Sequence, residues 1–196
     1  MLSKVKLGVL VSGGGSNLQA IIDACENGIL SGKAEVSLVV SSSSGAFALQ
    51  RAARHGIEGI VLKNSSEMIE RLKTVASLVC LAGYMRKLDD SFIEAFRGKI
   101  INIHPALLPK FGGRGMYGHF VHEAVVAAGE KESGATVHFV DEEYDHGAII
   151  LQEKVTVLPS DKPEDLAKRV LAIEHKIYPM AIAQVIDKVI NSVEAK

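Results

Sequence analysis

Asn102 and His104 stand two residues apart in Ile100-Ile101-Asn102-Ile103-His104-Pro105, so on an extended chain their side chains leave the same face. A carboxamide can donate to developing negative charge. An imidazole can do the same and can also carry a proton near neutral pH. Lys99 to Pro109 reads as a buried strand that breaks at the His-Pro step, with Pro105 and Pro109 stiffening the exit. An open α/β sheet places its chemistry at the C-terminal ends of such strands. A core Asn and a satisfied His at a strand end fit the same residues equally well.

Three other segments carry groups that could do chemistry. Ser12-Gly13-Gly14-Gly15-Ser16-Asn17 lies between an apolar run and a helical pattern, where glycines let backbone N–H groups approach an anion and Ser16 and Asn17 add hydrogen bonds. Leu18 occupies the last glycine position of a dinucleotide fingerprint, Ser41-Ser42 stand where a ribose-binding acid is expected, and a P-loop lysine is missing, so the loop suits a monophosphate. A glycine-rich turn without a ligand is the plainer alternative. Asp141-Glu142-Glu143-Tyr144-Asp145-His146-Gly147 is dense in ionisable groups, most of them expected to be merely solvated. One carboxylate meeting His104 would orient and charge the imidazole, and Asp145 is the one expected to do so. His119 and His122, followed by Glu123, match neither zinc-peptidase order, and Gly14-Gly15-Ser16-Asn17-Leu18 lacks the final glycine of a hydrolase elbow. No metal is expected.

The elements that must position these groups follow a regular alternation. Strands are expected at Lys6–Val11, Ala34–Val40, Gly59–Leu62, Leu78–Ala82 and from Ile100. Between them the spacing predicts helices through Leu18, Ile21, Ile22 and Cys25, over about Ala46–His55, over Ser66–Thr74 and over Asp90–Phe96. This is an α/β chain with a mostly parallel sheet covered by helices on both faces. After Pro109 the pattern changes. Phe111–Gly118 is glycine-rich and aperiodic, a helix runs through His122, Val125 and Val126, and Gly134–Val140 and Ala148–Val157 extend the sheet in a mixed or antiparallel sense. A long amphipathic helix covers Asp165 to about Val189, interrupted or kinked near Pro179.

Composition narrows the class. The 196 residues fit one domain, with 5–103 as a phosphate-binding βαβ half and 104–196 as the catalytic loop and C-terminal half. An apolar fraction of 47% supports a sizeable core, and a net charge of −1 with mixed signs leaves no footprint for nucleic acid. Cys25 and Cys80 read as reduced core residues of a cytoplasmic protein. No signal peptide or membrane-spanning run is expected. A monomer and a homodimer are equally compatible.

Taken together, Ser12–Gln19, Leu81-Ala-Gly-Tyr-Met-Arg86, Asn102–Pro109, Thr136–Val140 running to Asp145, and Glu174-His-Lys-Ile-Tyr-Pro179 resemble the phosphoribosylglycinamide formyltransferases of purine synthesis over nearly the whole chain. The resemblance implies a Rossmann-like formyltransferase fold and transfer of a formyl group from 10-formyltetrahydrofolate to the amine of glycinamide ribonucleotide. It implies that Asn102, His104 and Asp145 are catalytic. Gly15, Ser16 and Asn17 would hold the phosphate, Glu174 the ribose hydroxyls, and Met85 and Pro105 would flank the amine. Arg86, Lys87, Leu88, Val140 and Asp141 would line the folate pocket. Asp145 is expected to raise the His104 pKa and relay the proton through water, so that a protonated His104 and Asn102 both donate to the oxyanion. Within the family pattern Lys63–Thr74 is short, with no Arg aligned to a substrate-binding Arg. Leu171 stands where relatives often have Lys or Gln, His146 replaces a common Gly, and Gly112–Gly118 differs from the usual loop. A formyltetrahydrofolate deformylase would carry a regulatory domain ahead of the sheet, and a methionyl-tRNA formyltransferase would carry a tRNA-binding domain after it. A phosphosugar-binding module would have no need for the three polar groups to converge.

Overall fold

Short apolar runs bounded by glycine and serine become strands, and amphipathic stretches between them become the covering helices. The computed structural model describes residues 3–194. Its elements are β1 (Val5–Val11), α1 (Ser16–Asn27), β2 (Ala34–Ser41), α2 (Phe47–Arg54), β3 (Gly59–Val61), α3 (Ser65–Val75), β4 (Leu78–Leu81), α4 (Asp90–Ala95), β5 (Ile100–His104), α5 (His119–Ala127), β6 (Glu132–Phe139), β7 (Ile149–Thr156) and α6 (Pro163–Glu194). The strands form one sheet in the order β3-β2-β1-β4-β5-β6-β7. Pairs from β3 to β5 are parallel, while β5–β6 and β6–β7 are antiparallel. The expected mostly parallel sheet with a mixed C-terminal part is what forms.

Alternate strand residues feed two cores. Leu7, Val9 and Val11 pack with Leu18 and Ile21 of α1, Ala48 and Ala52 of α2, Val121 and Val125 of α5, and Val170, Ile177 and Tyr178 of α6. On the other face Leu10, Leu38, Val40, Val79 and Ile100 pack with Met68 and Leu72 of α3 and Phe92 and Ile93 of α4. Strand order reverses between β1 and β4, so the loops leaving their C-terminal ends part there and open a crevice.

The helix is not interrupted at Pro179: α6 runs through it as one element. Proline removes a backbone donor, but Ile177, Tyr178, Ala181 and Ile182 on either side are fully buried and hold both halves against the sheet. Among the described residues no helix is long and apolar enough to cross a membrane.

Candidate active site

The crevice at the reversal point widens into a cleft of about 470 Å³ lined by residues from both banks of the sheet. Its near end is the start of α1. Gly15 precedes the helix in left-handed backbone (φ 72°), and a Cβ there would sit 2.6 Å from Ala48 Cβ, so the close approach of α2 requires glycine. The first N–H groups of α1 have no intrahelical partner and face the loop as anion donors. Ser12 Oγ accepts from Met85 N at 2.8 Å and lies 2.7 Å from Ser42 Oγ, tying the ends of β1, β2 and β4 together.

Asn17 and Glu174 form a buried pair at this end, Asn17 Nδ2 donating to Glu174 Oε2 at 2.5 Å. Asn17 Oδ1 is buried without a partner among the described residues, an acceptor open to a ligand hydroxyl or N–H. Burial pushes the Glu174 carboxyl up to about 7 against the downward pull of the Asn17 amide.

At the centre, β5 ends in Asn102 and His104, and β6 runs antiparallel beside it so that Asn102 faces His138 and His104 faces Thr136. The pleat puts all four side chains on one face. His104 is 3% exposed and its Nε2 donates to the Phe111 carbonyl at 2.7 Å, leaving Nδ1 3.5 Å from Asp145 Oδ2. His138 Nδ1 donates to the Phe139 carbonyl at 2.7 Å, so its Nε2 is left to accept from Asn102 Nδ2 at 3.2 Å. Asp145 Oδ1 lies 3.6 Å from His138 Nε2, and Asp145 Oδ2 accepts from Gly113 N at 3.0 Å. Asp145 holds this position in left-handed backbone, φ 56°, as does Phe111 at φ 54°.

The electrostatics correct one expectation. Burial pulls the His104 imidazole below its ordinary pKa, outweighing the upward pull of the Asp145 carboxylate and the Phe111 carbonyl. Asp145 acts in the expected sense, but removal of the ring from water is the larger effect, so the resting imidazole is neutral at pH 7. Burial pushes Asp145 up, yet the His138 and His104 imidazoles, which favour the carboxylate when a ring carries a proton toward it, and the Gly113 N–H hold it below the usual carboxylate range.

Of the residues singled out from the sequence, Asn17, Met85, Arg86, Lys87, Leu88, Asn102, His104, Pro105, Val140, Asp141, Asp145 and Glu174 all line the cleft, while Gly15 and Ser16 stand beside Asn17 just outside the lining. The far bank is apolar, with Leu88 and Ile93 almost fully buried and Val140 packed against the α3/α4 core. Lys87 Nζ lies 5.5 Å from the centre of the Tyr144 ring. His138 was not singled out. Its signal was available in Thr136-Val-His138-Phe-Val140, where alternation puts a second imidazole on the same face as Thr136 and Val140. His119 and His122 diverge: His119 pairs with Glu123 at 2.8 Å on the surface, whereas His122 is buried and pushed down to about 4 by burial and by the imidazoles of His119 and His104. Among the described residues no group of His, Cys, Asp and Glu side chains could hold a metal ion.

The formyl transferase family matches residues 5–182. The phosphoribosylglycinamide formyltransferase of Haemophilus influenzae is 43% identical over 187 residues, covering 90% of this chain and 85% of that protein. The chain belongs to the phosphoribosylglycinamide formyltransferase family. The glycinamide ribonucleotide transformylase 1 of Symbiobacterium toebii superimposes with a TM-score of 0.88 at 40% identity, covering 94% of this chain and 89% of that one. The trifunctional purine biosynthetic protein adenosine-3 of Drosophila melanogaster is 42% identical over 192 residues, and the chain spans 14% of its length. The superposition covers nearly the whole sheet and its helices.

Proposed function

We propose that this chain transfers the formyl group of 10-formyltetrahydrofolate to the primary amine of glycinamide ribonucleotide. The observation that carries the reading is the convergence of Asn102, His104 and Asp145 in one cleft whose other end is a helix N-terminus with a buried acid beside it. Gly15, Ser16 and Asn17 hold the phosphate, and Glu174 and the unpartnered Asn17 Oδ1 meet the ribose hydroxyls. Met85 and Pro105 flank the amine. The apolar surface of Leu88 and Val140 suits a flat folate ring, with Arg86, Lys87 and Asp141 at its polar edge.

The chain's own groups then divide the work. One Nδ2–H of Asn102 is donated to His138, and the second is available to the formyl oxygen as negative charge develops on it. Loss of one such donor costs about 10²–10³ in rate. His104 Nδ1 carries no proton at rest, so it can accept the one released by the attacking amine. Asp145 Oδ2, 3.5 Å away, compensates the charge that results. One proton leaves the acceptor nitrogen and one must arrive on the departing folate nitrogen, and water at the Asp145 end of the cleft completes the transfer. No step calls for a metal.

The test follows conversion of 10-formyltetrahydrofolate to tetrahydrofolate with and without glycinamide ribonucleotide. Turnover that depends on the acceptor and collapses in His104→Ala is the expected result. Equal turnover without acceptor would make the chain a hydrolase, and none with it would leave a phosphosugar-binding module.

A further inference from the structure

Two arginines on the cleft lining, Arg86 and Arg114, make no hydrogen bond or ion pair among the described residues, and they stand on opposite banks. Arg114 lies in the loop between β5 and α5, flanked by Gly113 (φ 94°) and Gly115 (φ 89°). It lines the cleft, is exposed, and makes no hydrogen bond or ion pair among the described residues. Arg86 and Lys87 are the other Arg and Lys side chains on the lining; Lys87 Nζ stands 5.5 Å from the Tyr144 ring, and Arg86 follows Tyr84 on the same bank.

The packing of the loop decides which bank Arg114 serves. Phe111 and Met116, on either side of it, pack against the core built from α1, α5 and α6. Leu88, Tyr84 and Val140, on the folate bank, belong to the α3/α4 core. Arg114 is therefore carried on the same side of the sheet as Asn17 and Glu174. That bank has hydrogen-bond donors at the start of α1 but, among the described residues, no other Arg or Lys on the cleft lining, and it carries an acid. Arg51 stands behind the glycine loop, with Nε donating to the Gly14 carbonyl at 2.8 Å and Nη1 to Gln19 Oε1 at 3.2 Å, so it braces the loop from outside the cleft lining. A phosphate monoester carries about −1.5 to −2 charges at neutral pH. The partial charge of one helix end, roughly half an elementary charge, leaves most of that uncompensated.

We infer that Arg114 neutralises the phosphate of the acceptor and makes the site prefer a phosphorylated acceptor over the corresponding nucleoside. A guanidinium suits the role because its planar fork engages two phosphate oxygens at once. The glycines on either side let the loop bring it in. The identity of the acceptor rests on the formyl-transfer reading; the assignment of Arg114 to a sugar phosphate does not.

The experiment compares the unaltered protein, Arg114→Ala and Arg114→Lys on glycinamide ribonucleotide and on glycinamide ribonucleoside, with thermal shift by ribose 5-phosphate as a readout free of turnover. Arg114→Ala is expected to lower kcat/KM for the ribonucleotide about 10- to 100-fold, through KM. It should leave the much lower value for the ribonucleoside in place and lose most of the ribose 5-phosphate shift. Lysine should restore part of each. Equal losses on both acceptors, or a loss that falls on KM for 10-formyltetrahydrofolate, would overturn the assignment, the second by moving Arg114 to a folate carboxylate. An unchanged ribose 5-phosphate shift would overturn it as well. If no formyl transfer is seen at all but the shift still depends on Arg114, the acceptor reading falls and the phosphate assignment stands.

Discussion

At His104 burial and a neighbouring carboxylate pull in opposite directions, and burial wins. Asp145→Asn removes the upward pull while keeping a residue type that tolerates left-handed backbone. The His104 pKa should therefore fall further, which an NMR titration of the ring protons reads directly, and turnover should fall with it. Glu174 provides a second check with a definite sign. Its folded pKa of about 7 lies above the ordinary 4.5, so the folded state holds a proton that the unfolded state releases. Stability attributable to this group is intact below pH 4.5, declines as pH rises to about 7, and is flat beyond. Glu174→Gln keeps an acceptor for Asn17 and should be more stable than the unaltered protein at pH 8 by up to about 3 kcal/mol, with no difference at pH 4. Urea titrations at the two pH values measure this, and KM for the ribonucleotide should rise in the same variant. Asn102, His104 and Asp145 were legible in the sequence because residue type and a two-residue offset at a strand end suffice to single them out. The charge state of His104 was not, since desolvation depends on what the rest of the chain packs around the ring.

Among the elements, β6 does more than extend the sheet. Thr136 Oγ1 donates to the Ala106 carbonyl at 2.6 Å and accepts from Leu108 N at 3.1 Å, pinning the loop that leaves β5. Thr136→Val keeps the shape but leaves a buried N–H and carbonyl of that loop without this partner. It should cost about 1–3 kcal/mol in a denaturant melt and should lower kcat/KM because Pro105 loses its anchor. Tyr178 on α6 makes a comparable tie, its hydroxyl shared between the Leu81 and Ile101 carbonyls at 2.9 and 3.2 Å, where β4 and β5 deliver the site. The alternation of strands and helices up to β5 was readable from periodicity because the parallel strands β1, β2, β4 and β5 are largely buried and show as apolar runs, while the short edge strand β3 shows only as Ile60-Val61 between helical stretches. The start of β6 at Glu132 was not, because Glu132-Ser133 is polar and joins the ladder only through its pairing with Thr156 and Val155 of β7. His138 escaped notice for a related reason: its partner is set by strand pairing, which local spacing does not encode.

Across the whole molecule the sheet separates two cores, and the proposed subsites are rooted one in each. A modest change in one core should therefore disturb one substrate more than the other. Phe92, fully buried and 5.0 Å from the Phe96 ring centre, anchors the α3/α4 side. Phe92→Leu should cost about 1–3 kcal/mol and raise KM for 10-formyltetrahydrofolate more than KM for the ribonucleotide. Steady-state kinetics on both substrates beside a urea titration would check it, and equal changes would count against the division. The facing of Asn102 and His138 across β5 and β6 has a consequence for folding. Sliding β6 by a single residue would present Val137 or Phe139 to Asn102 and turn the second imidazole toward the opposite core. Such a chain could still be globular and helical, yet it would be catalytically silent. The specific activity of refolded protein thus counts correctly zippered molecules, a quantity that circular dichroism alone would miss.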